Sequence, residues 1–251
     1  MCYNFIEGCD SLNKIDELQK MIDDAYHIVF FGGAGVSAAS GIKDFRGKNG
    51  LYREKDYPTD LPPEYMLSID LFKSNPKMFF DFYKDKMNCL DAKPNVIHKY
   101  LAKLEKEKKL EAIITQNIDG LHQKAGSKNV LEIHGTVYKN HCIDCGKSYS
   151  AEYVFNSEGI PKCSCGGIIK PDVVLYGEQL PASFVVAMDY INKSDLLIVA
   201  GTSLTVEPAA SLVRMFDGKH LVIINGSLTV YEGKADLVIH DRLEDVFSKL
   251  N

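Results

Sequence analysis

Residues 26–38 read YHIVFFGGAGVSA, and this stretch decides the fold. A short apolar run that ends in paired glycines is typical of a strand buried on both faces of a sheet. A glycine turn from such a strand into a helix can bring backbone N–H groups against a pyrophosphate, because glycine has no Cβ to hold the phosphate away. Ala38 stands where the dinucleotide-binding pattern has its third glycine. At this point a plain tight turn is therefore an equal alternative.

Short apolar strands alternate with helical stretches along most of the chain. Strands are predicted at 26–31, 112–115, 130–133, 173–175, 196–200, 221–224 and 237–239. Helices are predicted at 10–25, 63–68, 70–74, 76–89, 94–108, 181–191, 207–216 and 242–250, with Asp10 or Ser11 capping the first. This alternation predicts an α/β fold, in which a Rossmann-like parallel sheet carries helices on both faces. Residues 43–63 are rich in glycine, proline and charge, and are predicted to form a loop.

The composition is that of an ordinary soluble globular protein. Of the 251 residues, 45% are hydrophobic and 25% are charged, and the net charge is −5. An acidic balance argues against general nucleic-acid binding, which needs a basic surface, and it suits a lysine-rich partner. No apolar run is long enough to span a membrane, and residues 1–10 lack the features of a signal peptide. We therefore expect a cytoplasmic protein without a membrane or nucleic-acid partner.

Four of the seven cysteines lie within 24 residues, and they are Cys142, Cys145, Cys163 and Cys165. In a reducing compartment such a cluster indicates a metal site rather than disulfides. The first pair is separated by two residues, as in a zinc knuckle, whereas the second pair is separated by only one, which constrains its backbone. Four thiolates complete a tetrahedral coordination sphere. We therefore predict a structural Zn²⁺ with no open position for catalysis.

Polar side chains follow two of the predicted strands. Gln116, Asn117 and Asp119 come after the second strand, and His134 comes after the third. The carboxyl ends of parallel strands are where α/β folds place ligands. Imidazole titrates near neutral pH, so His134 is a candidate general base. From the residues alone, His134 could instead only cap its strand, and the other three could only shape a turn.

Five blocks in this order resemble the signature of the sirtuin family, whose members are NAD-dependent protein-lysine deacylases. The blocks are 33–47 (GAGVSAASGI followed by DFRG), 115–122 (TQNIDGLH), His134-Gly135, 201–204 (GTSL) and Ile224-Asn225. The resemblance covers nearly the whole chain, with the cysteine cluster between the third and fourth blocks. It implies a bacterial-type single-domain enzyme for which NAD is a co-substrate. The implied products are nicotinamide, free lysine and O-acetyl-ADP-ribose.

The resemblance also implies roles for individual residues. His134 is the catalytic base, and it acts with Asn117, which orients the nicotinamide ribose, and Asp119, which binds the nicotinamide amide. The implied NAD-binding residues are Gly33, Ala34, Gly35, Ala38, Phe45, Arg46, Gln116, Asn117, Ile118, Asp119, His134, Gly201, Thr202, Ser203, Asn225 and Leu243. The nearby His122 is implied to be structural.

Two further segments carry implied contacts. Phe45 covers the reactive ribose and Arg46 approaches the phosphates, in a loop where Lys43 stands in place of the family's usual proline. An extended acyl-lysine peptide pairs with the segment at 171–178 as an added strand. The implied substrate-binding residues are Val173, Tyr176, Gly177 and Glu178, of which Tyr176 replaces the commoner phenylalanine.

The preferred acyl group depends on the stretch at 82–86. The family branch that removes succinyl groups uses a tyrosine and an arginine to bind the carboxylate. Here Tyr83 is present, but Lys86 stands in the arginine position. Lysine lacks the bidentate fork that suits a carboxylate. We therefore expect a deacetylase that can also remove longer apolar acyl groups.

The resemblance implies a large NAD-binding domain and a small domain made of two inserts. Residues 1–43, 90–136 and 172–251 form the Rossmann-like NAD-binding domain, 44–89 form the cofactor loop and helical insert, and 137–171 form the zinc-ribbon insert. We expect a monomer that binds an acyl-lysine peptide or protein. Two alternatives stay open at this point. One is an NAD glycohydrolase or ADP-ribosyltransferase on the same scaffold, and the other is a non-catalytic NAD-sensing module.

Overall fold

The computed structural model describes residues 3–45, 50–51 and 61–251. Its helices are α1 (Tyr3–Asp24), α2 (Gly35–Ala38), α3 (Pro63–Met66), α4 (Ile69–Ser74), α5 (Pro76–Lys86), α6 (Val96–Lys106), α7 (Leu121–Ala125), α8 (Ala151–Asn156), α9 (Ala182–Lys193), α10 (Ser211–Arg214) and α11 (Leu243–Phe247), with a 3-10 helix at Glu232–Lys234. Its strands are β1 (Ile28–Gly32), β2 (Leu110–Thr115), β3 (Val130–Glu132), β4 (Gly135–Cys142), β5 (Ser148–Tyr149), β6 (Ile169–Val173), β7 (Leu196–Ala200), β8 (His220–Ile224) and β9 (Leu237–Ile239). None of the helices in these ranges is both long and apolar enough to cross a membrane.

A parallel sheet of six strands runs in the order β3-β2-β1-β7-β8-β9. β1 lies near its centre, and all five of its residues are buried. Ile28 and Phe30 face one hydrophobic cluster while Val29 and Phe31 face another, as the two-residue period of a strand requires. Burying each of these side chains stabilises the fold by about 1.5–3 kcal/mol. The continuous apolar run is thus explained by a strand without a solvent-facing side.

Helices cover both faces of this sheet. On α6, Ile97, Leu101 and Leu104 recur at helical spacing and are buried in the first cluster, together with residues of α1 and α11. On α9, Ala187 and Ile191 are buried in the second cluster, which α10 also joins. The predicted α/β fold with a Rossmann-like sheet and helices on both faces is confirmed.

A smaller antiparallel sheet, in the order β5-β4-β6, is accompanied by α3, α4, α5 and α8. It has a hydrophobic cluster of its own. The centre of this cluster is aromatic, because Tyr83 of α5 stacks on both Phe79 and Phe155. This part of the chain includes both predicted inserts, and it supplies one wall of the candidate site.

β4 and α8 lie in a stretch for which the sequence predicts neither a strand nor a helix. The pairing of β4 with β6 shifts register between Gly135 and Asn140, so the buried residues of β4 do not alternate with exposed ones. A bulged strand of this kind lacks the two-residue period by which strands are recognised. The irregularity therefore hides the strand from sequence inspection.

Two predicted elements are wrong in part. α1 begins at Tyr3, so Asp10 and Ser11 lie inside the helix and neither caps its start. Both residue types favour caps, but a helix can run through them at small cost. The strand predicted at 173–175 does not belong to the parallel sheet, because Val173 ends β6, which pairs antiparallel with β4. Three apolar residues in a row have the same pattern in either setting.

Candidate active site

A cavity of 870 Å³ opens at the carboxyl ends of the parallel strands. It lies beside β1, whose neighbours in the sheet are β2 on one side and β7 on the other. The chain leaves β1 toward one side and returns to the other, and such a switch point forms a crevice in which α/β folds bind ligands. The segment at 173–178 and Lys86 form part of the facing wall. The cavity therefore lies between the parallel sheet and the smaller sheet.

Most of the predicted site residues line this cavity. They are Ala34, Gly35, Phe45, Gln116, Asn117, Ile118, Asp119, His134, Val173, Tyr176, Gly177, Glu178, Gly201, Thr202, Ser203 and Asn225. Of the predicted NAD-binding and substrate-binding residues that the structure describes, Gly33, Ala38 and Leu243 do not line it. Ala38 is exposed on α2, and the Leu243 side chain is buried in the first hydrophobic cluster. Arg46 lies outside the described residues.

The glycine turn between β1 and α2 packs against the loop that follows β7. A Cβ on Gly33 would lie 2.7 Å from the Thr202 Cβ, and a Cβ on Gly35 would lie 2.7 Å from the Gly201 Cα. The Gly35 N–H also donates to the Gly201 carbonyl at 2.8 Å. Gly201 has a φ of +62°, which glycine adopts without strain. The glycines are thus required by contact between two loops, a different reason from the phosphate approach that the sequence suggests.

Ser37, Asn117 and Asp119 form a polar network beneath the cavity. The Asn117 Nδ2 donates to the Ser37 Oγ at 3.0 Å and to the Gly33 carbonyl at 3.1 Å. The Ser37 hydroxyl donates to the Asp119 Oδ2 at 2.6 Å, and the Leu121 N–H donates to the Oδ1 at 2.9 Å. Burial raises the pKa of Asp119, and these two hydrogen bonds oppose that rise. The network holds both side chains in one orientation.

Polar side chains from the loops after β2, β7 and β8 line the neighbouring wall. The Gln116 Nε2 donates to the Thr202 Oγ1 at 3.0 Å, and the Leu204 N–H donates to the same oxygen at 3.2 Å. The Asn225 Nδ2 donates to the Ser227 carbonyl at 2.8 Å. Hydroxyl and amide groups held in this way suit the hydroxyls of a ribose and the oxygens of a phosphate.

His134 lies between β3 and β4 and lines the cavity. Its Nδ1 is 3.0 Å from the Gln116 carbonyl oxygen. A carbonyl oxygen can only accept a hydrogen bond, so Nδ1 carries the proton and Nε2 carries the basic lone pair. Burial lowers the pKa of His134, opposed by the Gln116 hydrogen bond. The imidazole is therefore neutral at neutral pH and can take up a proton, as a general base must.

The segment at 173–178 is tied to the rest of the site through its backbone. The Val174 N–H donates to the His134 carbonyl at 2.9 Å. The Tyr176 N–H donates to the Leu67 carbonyl at 2.9 Å, and its carbonyl accepts from the Ile69 N–H at 3.0 Å. The Glu178 Oε2 accepts a hydrogen bond from the Leu175 N–H at 2.9 Å. These bonds fix the backbone at 173–176 along the cavity. The Glu178 N–H then donates to the Leu175 carbonyl at 2.9 Å and closes a turn, in which Gly177 has a φ of +90°.

The four clustered cysteines bring their sulfur atoms within 4.8 Å of one another. The Cys142–Cys165 and Cys145–Cys165 sulfurs are 3.5 Å apart, and the Cys145–Cys163 sulfurs are 3.6 Å apart. Sulfurs bound tetrahedrally to zinc at about 2.3 Å lie about 3.8 Å from each other. Cysteine binds metal as the thiolate, and four thiolates complete a tetrahedral coordination sphere. The donor set therefore fits Zn²⁺.

The two cysteine pairs use turns of different length. The Gly146 N–H donates to the carbonyl of Cys142, four residues before it, at 2.9 Å. The Gly166 N–H donates to the carbonyl of Cys163, only three residues before it, also at 2.9 Å. Both glycines have positive φ, +72° and +94°. A Cβ on the following Gly167 would lie 2.6 Å from the Cys142 sulfur. The short spacing of the second pair is thus accommodated by a tighter turn and a second glycine.

Tyr83 and Lys86 face different surroundings. Tyr83 is fully buried between Phe79 and Phe155, with ring centroids at 5.6 and 5.4 Å, and this burial raises the pKa of its hydroxyl. Lys86 lines the cavity and lies 3.0 Å from the carboxylate of Asp85. The tyrosine hydroxyl is enclosed in the aromatic cluster, so it does not share a carboxylate-binding surface with Lys86.

Ser37 is a site residue that is not among those predicted from the sequence. It lies inside a block quoted for the family resemblance, but only the folded chain brings it against Asn117 and Asp119. His122, which the resemblance implies to be structural, is buried outside the cavity beside His98, with ring centroids 4.7 Å apart. Burial lowers the pKa of His122 to about 3, so this histidine stays neutral.

The chain is similar to known proteins over almost its whole length. A family model described as the Sir2 family matches residues 33–208. An NAD-dependent protein deacetylase of Clostridium acetobutylicum is 56% identical over 238 residues, which are 94% of this chain and 97% of that protein. A protein of the same description from Clostridium perfringens is 52% identical over 95% of this chain and 98% of its own length.

Solved structures of Sir2 proteins are also similar to this chain over almost its whole length. A Sir2 structure with a p53 peptide and NAD+ is 37% identical and has a TM-score of 0.81, covering 94% of this chain and 96% of that chain. A Sir2 variant with a deacetylated p53 peptide and 3'-O-acetyl-ADP-ribose is 38% identical with a TM-score of 0.85, covering 93% and 96%. The chain belongs to the Sir2 family.

Proposed function

We propose that this protein is an NAD-dependent protein-lysine deacetylase, which transfers an acetyl group from lysine to ADP-ribose and releases nicotinamide. One observation carries the proposal. His134 lines the cavity with Nδ1 bound to the Gln116 carbonyl, which leaves Nε2 as the base beside a fixed pair of Asn117 and Asp119. Relatives described as NAD-dependent protein deacetylases support the same function.

In this proposal the residues around His134 bind the reacting half of NAD. Asn117 orients the nicotinamide ribose, Gln116 approaches its hydroxyls, and Asp119 with the Ile118 backbone binds the nicotinamide amide. Holding the acetyl-lysine oxygen and the ribose carbon in line supplies much of the rate of such a reaction. The Nε2 of His134 then takes the proton of a ribose hydroxyl, and this oxygen bonds to the acetyl carbon. One water is consumed as the bond from that carbon to the lysine nitrogen breaks, and lysine leaves as the free amine.

The remaining cavity residues bind the rest of NAD. Ala34 and Gly35 at the start of α2, with Thr202 and Ser203, contact the phosphates, and Asn225 contacts the adenosine ribose. Phe45 covers the reactive ribose and limits the return of nicotinamide. Excluding water in this way favours transfer to the ribose over hydrolysis.

We propose two functions for the smaller sheet and the segment that follows it, which are metal binding and peptide binding. The four cysteines hold a structural Zn²⁺, supported by their sulfur–sulfur distances. The segment at 173–178 pairs with an acetyl-lysine peptide as an added strand, and Val173 contacts the acetyl-lysine. We also propose the domain division given by the sequence, with 1–43, 90–136 and 172–251 as the NAD-binding part.

The net charge of −5 suits a lysine-rich partner and opposes direct nucleic-acid binding. We propose that the protein acts in the cytoplasm as a monomer on acyl-lysine segments of other proteins. Sedimentation of the purified chain tests the monomer, with a dimer as the contrary result.

Product analysis tests the function. The protein is incubated with NAD and an acetyl-lysine peptide, and the products are identified by mass spectrometry. We expect equal amounts of nicotinamide, deacetylated peptide and O-acetyl-ADP-ribose. Free ADP-ribose with the peptide still acetylated would instead indicate a glycohydrolase, and ADP-ribosylated peptide would indicate a transferase. NAD binding without any product would indicate a sensor.

A further inference from the structure

The proposed peptide-binding segment at 173–178 separates two cavities. Val173, Val174, Gly177 and Glu178 line both the main cavity and a second groove of 560 Å³ on the other side. Only Val173 and the isolated bridge residue Tyr176 have strand-like pairing in this segment. A wall this thin needs other contacts to keep its backbone where an added strand could pair with it.

Lys170 supplies such contacts from beneath the segment. It is a buried lysine, 9% exposed, in β6. Its Nζ donates to the Pro171 carbonyl at 3.1 Å and to the Val173 carbonyl at 3.1 Å, and it lies 2.9 Å from the Glu178 Oε2. An ammonium has three N–H donors, so this group is fully satisfied by the segment at 171–178.

Glu178 completes the connection. The oxygen that pairs with Lys170 also accepts the Leu175 N–H at 2.9 Å. The two ends of the segment are therefore joined through one partly buried ion pair, with backbone groups on both sides of it. Glu178 is 26% exposed and Lys170 11% exposed in their side chains, so water screens this pair less than a surface pair. The Glu178 carboxylate thus joins Lys170 to the Leu175 backbone.

We propose that Lys170 is a positioning residue for the protein substrate, and that it acts through Glu178 to hold the backbone of the peptide-binding segment in place. This inference rests on the proposed deacetylase function. Lys170 borders the second groove and is not among the residues that line the main cavity. Its loss therefore weakens peptide binding and leaves NAD binding unchanged.

Steady-state kinetics on the full-length protein tests this proposal. Lys170→Met removes the ammonium and keeps the length of the side chain, Lys170→Arg keeps the charge, and Glu178→Gln removes the partner charge. Lys73→Met is the matched control, because Lys73 borders the same groove from the exposed end of α4. The Michaelis constants for an acetyl-lysine peptide and for NAD are measured separately, and peptide affinity is measured by calorimetry.

We expect Lys170→Met to raise the peptide KM about tenfold or more, the range of a lost hydrogen-bonded charge, with the NAD KM within about twofold. Lys170→Arg recovers part of the affinity, Glu178→Gln shifts the peptide KM in the same direction, and Lys73→Met matches the wild type. An unchanged peptide KM in Lys170→Met, an equal rise in both constants, or the same effect from Lys73→Met would overturn the proposal.

Two readouts keep the result interpretable. If Lys170→Met does not fold, as judged by thermal unfolding, Glu178→Gln decides by the same peptide-against-NAD comparison. The wild-type protein tests the proposed function separately, because a lack of turnover would reject the deacetylase. Even then, the peptide affinities of the wild type and Lys170→Met, measured by calorimetry, would still test the role of Lys170.

Discussion

The Ser37 hydroxyl donates to the Asp119 carboxylate at 2.6 Å and accepts from the Asn117 amide at 3.0 Å. One small side chain after β1 thereby fixes two side chains after β2. Asp119 is only 5% exposed, so its carboxylate depends on protein donors for solvation. Ser37 is the link between the glycine turn and the residues proposed to bind nicotinamide and its ribose.

Ser37→Ala should therefore harm both stability and NAD use. The loss of a donor to a buried carboxylate should reduce the free energy of unfolding by about 1–3 kcal/mol. The NAD KM should rise because Asn117 and Asp119 lose their fixed orientation. Urea unfolding and NAD-dependent kinetics measure these effects, with the exposed Ser74→Ala as control. A variant with wild-type NAD KM would show that the network does not position NAD.

The cysteine cluster predicts one zinc ion per chain. Elemental analysis should find about one equivalent. Cys163→Ser should lose most of it, because the tighter turn at this pair leaves little freedom for a substitute ligand. A strong chelator should lower the melting temperature and, with it, deacetylation. Cys89→Ser, outside the cluster, should keep the metal. Full zinc content in Cys163→Ser would contradict the four-cysteine site.

Acyl preference should follow the surroundings of Tyr83 and Lys86. We expect acetyl-lysine to turn over at least about tenfold faster than succinyl-lysine, since lysine offers no bidentate contact and Asp85 competes for its charge. Tyr83→Phe should leave this ratio unchanged, because the hydroxyl is buried in the aromatic cluster. Faster succinyl removal by the wild type, or a ratio altered by Tyr83→Phe, would reject this interpretation.

The sequence was sufficient to predict the parallel sheet and most of the site. β1, β2, β7 and β8 are short apolar runs buried on both faces, and the polar residues that follow them must meet at one edge of the sheet. The pattern indicates Gln116 and Asn117 after β2 and His134 after β3 as candidates, and the family resemblance implies Thr202 after β7. The structure brings all four to the cavity.

Other features depend on contacts that no local pattern encodes. β4 is hidden by its register shift, and Gly33 and Gly35 are explained only by the distant loop at Gly201. Leu243 lies in a helix whose buried face points to the core rather than to the cavity. Each case involves residues far apart in the chain, which hydrophobic periodicity does not relate.

The pH dependence of kcat/KM should reflect the neutral form of His134. Burial lowers the pKa of His134 below its ordinary value of 6.5. The base must be unprotonated, so activity should persist as pH falls through 6.5 and decline only as pH passes the lowered pKa. Circular dichroism at each pH checks folding, because His98, with a pKa lowered to about 4 by burial, favours unfolding in acid. An acid limb at or above pH 6.5 would contradict a buried histidine base.

Replacing His134 tests its assignment as the base directly. His134→Ala is compared with His27→Ala, whose side chain is half exposed and pairs with Glu111 away from the cavity. NAD-dependent deacetylation of an acetyl-lysine peptide and NAD affinity are measured for both variants. We expect His134→Ala to lose activity by about 100-fold or more while NAD affinity is largely retained, and His27→Ala to match the wild type. Deacetylation by His134→Ala at the wild-type rate would contradict the assignment of His134 as the catalytic base.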